Sequence, residues 1–361
     1  MAVPLFDSAT PRAPLREQLR AAIERVLESE HFILGPEVSA FEQELASYCG
    51  ARHAVGVANG TDAITISLRA MGVGPGDEVV VPSFTFYASV EAIVHTGARP
   101  VFCDIDPETY CIDADTVRAA LTPSTKAVIA VHLFGNVAPV AEIAALGVPV
   151  LEDAAQALGS RTAAGRPGAL GAAATFSFYP SKNLACFGDG GAIVTDDETI
   201  AEQARILRFH GSRDKVDYEQ VGYNSRLDEL QAAILRAQLP SLDEWAAGRM
   251  RAADHYERAG LGELAALPCP VAGTDPAWHL FVVSHLNVER LEAALKAAQI
   301  GCKGYYRTPV HRQPPMHEWG AGLELPGTDH AAGTHLAIPM SPVLSAEQAE
   351  EVVAAARGAA S

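Results

Sequence analysis

Short apolar runs alternate with segments of helical periodicity along the first two thirds of the chain. Apolar positions recur every three to four residues from Leu15 to Leu27 and from Val38 to Tyr48, the spacing of helices with one buried face. His53 to Val57 then reads as a short strand leading into Asn59, Gly60, Thr61 and Asp62, where a helix should start. Further strand-like runs at Glu78 to Val81, Pro100 to Cys103, Ala127 to Val131 and Val148 to Leu151 are separated by helical patterns such as Thr85 to His95 and Asp115 to Leu121. Strands alternating with helices predict a mostly parallel sheet. After Ala172 to Ser177 and Ala192 to Thr195 the pattern lengthens into one helical stretch from Leu227 to about Tyr256, which carries the chain out of a large domain. Pro268 to Pro276 reads as a linker, and His279 to Val283, Val288 to Ala298 and Ala346 to Ala356 predict a small α+β unit. The expected fold class is α/β, with a large domain over residues 1–240 and a smaller C-terminal domain over 241–361, the N-terminal helix being able to pack on the smaller one.

Size agrees with that division, because 361 residues exceed the usual single core. A net charge of -17 is spread along the chain without a Lys/Arg run that could follow a phosphate backbone, which argues against nucleic acid and against anionic membrane surfaces. The six cysteines form no CxxC pair, as expected of reduced thiols in a cytoplasmic protein, and no metal site is expected. Met1 to Thr10 lacks the basic and apolar regions of a secretory leader. The longest apolar tract, Ala127 to Leu151, is interrupted by His132, Asn136 and Glu142 and reads as two buried strands joined by a helix, not as a membrane span.

The chemistry centres on Lys182, which lies between Phe176 and Gly191, downstream of an acidic strand end at Glu152 and Asp153. A buried amine can form a Schiff base with the aldehyde of pyridoxal phosphate (PLP), and a carboxylate such as Asp153 can keep the pyridine nitrogen protonated. Asn59 to Ala63, between a strand and a helix, offers free amides and a helix dipole to a phosphate. Read alone, the segment is first an ordinary helix start capped by Thr61 or Asp62, and only its combination with Lys182 favours the phosphate. Gln156 could donate to the cofactor's phenolic oxygen or simply bond a loop, and Ser177 could meet the phosphate or a nearby backbone group. Phe86 could stack on the pyridine face or pack in the core. Asn224 and Arg226 open the long helix, where capping and surface charge are their plainer roles.

Taken together, these residues resemble the DegT/DnrJ/EryC1/StrS sugar aminotransferases of the fold-type-I PLP enzymes. The resemblance rests on Asn59 to Asp62, Glu152 to Gln156, Phe176 to Phe178, Ser181 to Asn183, Gly188 to Gly191, Asn224 to Ala233 and His279 to Phe281, in order and at specific spacing. It implies an aspartate aminotransferase-like fold with a seven-stranded, mostly parallel sheet in the large domain. It further implies Lys182 as the Schiff-base lysine, Asp153 at the pyridine nitrogen, Gln156 near the ring oxygen, and Gly60, Thr61 and Ser177 around the phosphate. Members are dimers with shared sites, so Asn224 would reach the phosphate of the neighbouring subunit's cofactor. Tyr306 and His311 match a stretch that lies beside the sugar nucleotide. Leu158, Arg307 and Phe84 depart from the common pattern, which affects the sugar contacts more than the reaction.

The implied activity is transfer of the amino group of glutamate to a nucleotide-linked keto-deoxysugar, with Gly188 to Gly191 and Asn224 to Asp228 leaning to the C3 position. Arg226, Arg307 and Arg312 are candidates for the glutamate carboxylates. Competing readings are a C4 enzyme, a keto-inositol aminotransferase of an aminocyclitol pathway, and a non-catalytic regulator that binds PLP or a sugar nucleotide.

Overall fold

The computed structural model describes residues 3–358. Seven strands form the central sheet: β1 (His53–Val57), β2 (Glu78–Pro82), β3 (Arg99–Cys103), β4 (Thr125–Val131), β5 (Val150–Asp153), β6 (Ala173–Ser177) and β7 (Gly191–Thr195). Their spatial order is β1-β7-β6-β5-β4-β2-β3, and β7 alone runs against the others. The strands are apolar on both faces because helices cover both: Val79, Val80 and Val81 of β2, for instance, are all fully buried.

Helices α1 (Arg16–Ser29), α2 (Pro36–Cys49), α3 (Gly60–Ala70) and α4 (Ala88–His95) precede or follow the first strands. Helix α1 packs through Ala22 and Val26 on Ala233 of α5 (Glu229–Gln238), so it belongs with the sheet and not, as the sequence suggested, with the C-terminal part. Val3 makes the contact with that part instead, its carbonyl accepting from the Gly301 amide at 2.8 Å. Helix α4 starts at Ala88, three residues later than the periodicity implied, because Ser83 to Tyr87 form an irregular segment with Phe84 fully buried.

The helix expected from Leu227 to Tyr256 is broken. Pro240 has no amide to donate, so α5 ends in a 3-10 turn at Leu239–Ser241 and the chain restarts as α6 (Leu242–Arg258). Along α6 the chain changes cores: Leu242 packs under α2, whereas Ala252 and Tyr256 join a second core with α7 (Val288–Ala297) and α8 (Ala346–Arg357). Between the cores stands a two-stranded antiparallel sheet, β8 (Phe281–Ser284) with β9 (His335–Ile338). Alternation of side chains decides its allegiance. Phe281, Val283, Leu336 and Ile338 face the second core, while Val282 and Ala337 face the core of the large sheet. The C-terminal unit is thereby bonded to the sheet by apolar burial, beside the carboxyl ends of its strands.

Candidate active site

Open α/β sheets bind ligands at the carboxyl ends of their parallel strands. There the chain encloses a cavity of about 940 Å³, lined by Gly60, Thr61, Phe86, Asp153, Gln156, Ser177, Lys182 and Tyr306 among others.

One end of the cavity is built by close backbone approach. Gly191 of β7 is paired with Val57 of β1 on one side and Ser177 of β6 on the other. A Cβ on Gly191 would lie 2.4 Å from the Asn59 carbonyl carbon and oxygen, so only glycine lets the strand lie flush with the start of α3. A Cβ on Gly60 would lie 2.8 Å from the Ser177 Cβ, which keeps that hydroxyl beside the helix N-terminus. Asn59, not Thr61 or Asp62, is the cap: its side-chain oxygen accepts from the Asp62 amide at 2.8 Å. The Gly60 and Thr61 amides have no acceptor among the described residues. Two free amides at the positive end of an 11-residue helix, with a serine hydroxyl alongside, suit a phosphate dianion.

In the middle of the cavity floor, Asp153 ends β5 and is buried. Its Oδ2 accepts from the Ser89 hydroxyl at 2.7 Å and its Oδ1 from the Ala155 amide at 3.2 Å. Its neighbour Glu152 points the other way. That side chain is fully buried, meets His132 Nε2 at 2.8 Å and accepts from the Leu170 and Gly171 amides at 3.0 and 2.9 Å, which ties down the loop before β6. Since His132 Nδ1 accepts from the Ala138 amide, the Nε2 atom carries the proton toward Glu152. Gln156 is oriented in turn: its oxygen accepts from the Phe134 amide at 2.7 Å and its nitrogen donates to the Tyr306 hydroxyl at 3.2 Å. Tyr306 holds a left-handed backbone, φ 65°, locked by rings of Phe84 and Phe134 at 5.9 and 6.4 Å. Burial pushes its phenol pKa up, so it stays a neutral hydroxyl.

Lys182 faces this floor. Burial draws its amine down to about 8, against an upward pull from the Asp153 carboxylate. His279, stacked on Phe6 at 5.9 Å, lines the same wall, and burial with the nearby cations Lys182 and Arg249 keeps its imidazole neutral. An amine with a depressed pKa, a fixed carboxylate and a phosphate cradle on one cavity fit PLP: an aldehyde for Lys182, a pyridine nitrogen for Asp153, and a phosphate for Gly60, Thr61 and Ser177.

Three sequence candidates lie elsewhere. His311 is not on the cavity wall. Its ring is buried behind it, with Nδ1 2.5 Å from the Ser83 hydroxyl, and Val310 of the same 3-10 turn lines the cavity instead. Arg226 sits with its guanidinium 5.9 Å from the Phe209 ring, and Asn224 is exposed in a bridge with Phe209, both outside this chain's own cavity. Of the other arginine candidates, Arg307 lines the cavity while pairing with Glu292 at 3.4 Å, and Arg312 is paired with Asp329 at 2.6 Å. Sequence reading missed Ser89, Thr85 and Phe6. The signal for Ser89 was a hydroxyl among the apolar positions Ala88, Val90, Ala92 and Ile93; Phe6 carried none, because its place depends on where the N-terminal segment docks.

Comparisons with known proteins show the family and the fold. The model of the DegT/DnrJ/EryC1/StrS aminotransferase family matches residues 14–357. A dTDP-3-amino-3,4,6-trideoxy-alpha-D-glucose transaminase of Streptomyces venezuelae is 44% identical, covering 98% of this chain and 95% of its own. A pleiotropic regulatory protein of Geobacillus stearothermophilus is 43% identical over 98% of this chain and 97% of its own. The X-ray crystal structure of S. venezuelae DesV in complex with a ketimine intermediate superposes with a TM-score of 0.94 at 44% identity, covering 98% of this chain and 97% of that one. With the family model, the fold and nearly the whole length matched, the chain belongs to the DegT/DnrJ/EryC1/StrS family of PLP-dependent aminotransferases.

Proposed function

We propose that the enzyme moves the amino group of glutamate to a nucleotide-linked keto-deoxysugar and aminates it at C3. The observation that carries this reading is the convergence of Lys182, Asp153 and the α3 N-terminus on one cavity wide enough for a cofactor and a sugar. Support for C3 comes from Gly188 to Gly191 and Asn224 to Asp228, and from the 3-amino sugar in the name of the Streptomyces relative.

When bound, PLP supplies an electron sink for the substrate carbon. Lys182 would hold the cofactor, and its Nζ, when free, would serve as the general base that takes the proton from the glutamate Cα. An amine drawn down to about 8 suits that task, since about one-tenth of it is free base at pH 7, far more than for an ordinary lysine, and it is still basic. Asp153 would meet the ring nitrogen, Gln156 the ring oxygen and Phe86 a ring face, and Gly60, Thr61 and Ser177 would hold the phosphate. Tyr306, beside Gln156, borders the sugar. Arg307 is the arginine of this chain on the cavity for a glutamate carboxylate.

A homodimer completes the site in this reading. Val216, Tyr218 and Val221 leave apolar surface exposed in the loop before Asn224 and Arg226, where a second copy would cover it and receive both side chains at its own cavity. The test is incubation of the holoenzyme with glutamate and a panel of nucleotide-linked 3-keto and 4-keto sugars, with keto-inositol as control, locating the new amine by NMR. Amination of a 4-keto sugar or keto-inositol alone sinks the C3 assignment. A regulatory role is the second reading, favoured by the Geobacillus relative. No spectral change with glutamate would favour it.

A further inference from the structure

We infer that Ser89 is a positioning residue for the Asp153 carboxylate, and that Thr85 fixes the direction in which Ser89 donates. The inference rests on the reading above, in which Asp153 meets the cofactor's ring nitrogen. Ser89 Oγ lies 2.7 Å from Asp153 Oδ2 and 3.0 Å from Thr85 Oγ1. An ionised carboxylate only accepts, so the single Ser89 proton points to Asp153, and Thr85 must donate to Ser89. The order Thr85 to Ser89 to Asp153 follows from valence alone.

All three side chains are buried, Ser89 and Thr85 at 1% exposure, so water does not compete for these bonds. With Ala155 donating to Oδ1, each carboxylate oxygen has a protein donor, which fixes the carboxylate plane and leaves lone pairs toward the cavity. Ser89 touches neither cofactor nor substrate in this arrangement; it acts only through the carboxylate.

The test measures the dissociation constant of PLP from purified enzyme, read by cofactor absorbance, independently of turnover. Loss of one charge-assisted hydrogen bond predicts that Ser89→Ala weakens PLP binding about tenfold and that Thr85→Val weakens it about threefold. Asp153→Asn alone should weaken PLP as well, and adding Ser89→Ala to it should then change affinity less than about twofold. That last comparison separates positioning from a general structural role, which would weaken PLP equally in both backgrounds. Full effects of Ser89→Ala in the Asp153→Asn background, or an unchanged constant for Ser89→Ala where Asp153→Asn weakens binding, overturns the inference. An unchanged constant for Asp153→Asn overturns the ring-nitrogen reading itself. Should Ser89→Ala not fold, Thr85→Val carries the same cycle.

Discussion

The depressed pKa of Lys182 has consequences in the enzyme stripped of cofactor. At pH 7 an amine of pKa about 8 is roughly one-tenth free base, whereas an ordinary lysine near 10.5 is free in only about one molecule in 3,000. Apoenzyme should therefore capture PLP about 300-fold faster than a solvent-exposed lysine of equal reactivity, with a rate that rises through a midpoint near pH 8. The same shift has a stability sign. Between about pH 8 and pH 10.5 the unfolded chain keeps a proton that the folded amine has lost, so folding stability of the apoenzyme rises with pH across that window. At about 1.4 kcal/mol per pH unit, the partly buried ammonium costs the folded state at most about 3 kcal/mol below pH 8. Lys182→Met should remove that cost, abolish amino transfer, and leave an apoenzyme more stable at pH 7 by up to this amount. Stopped-flow capture of PLP from about pH 6 to about pH 10 and urea melts of both apoenzymes read the two effects. A capture midpoint above about pH 10, a Lys182→Met protein no more stable than its parent, or a borohydride-fixed chromophore on another peptide would refute the reasoning.

Gly191→Ala should weaken PLP by at least about tenfold, because a Cβ 2.4 Å from the Asn59 carbonyl meets backbone that cannot yield without moving the phosphate cradle; titration of apoenzyme with PLP checks it. Glu229→Ala should cost about 3 kcal/mol in a denaturant melt. Its buried carboxylate accepts from the Gly35, Glu37 and Val38 amides at 2.8 to 2.9 Å, and its loss leaves the α2 N-terminus unsatisfied. Tyr306→Phe removes the acceptor of the Gln156 amide, and the holoenzyme should show a several-fold rise in KM for the keto sugar with PLP affinity little changed.

Much of the architecture was legible from period alone. Strands β1 to β7 fall within two residues of their expected ends, because buried strands are short apolar runs bounded by polar or glycine turns. The long helix after Leu227 was misjudged because helical periodicity continues across Pro240, and only the missing amide of proline shows where the backbone must break. The start of α4 was misplaced for a related reason: Phe84 and Phe86 look alike in sequence, yet one is fully buried and the other 57% exposed.

Local order in the chain determined the alternating α/β plan, the lysine and the acidic strand end, since each is a pattern within a few residues. Tertiary structure alone decided which polar groups share a wall. Ser89 meets Asp153 across 64 positions, Phe6 reaches His279 from the N-terminal segment, and His311 turns behind the cavity while Val310 faces it. Those choices follow from strand order and from the two buried faces of β8 and β9, which no local pattern encodes because the partners are brought together only when the sheet and the C-terminal unit close on one another.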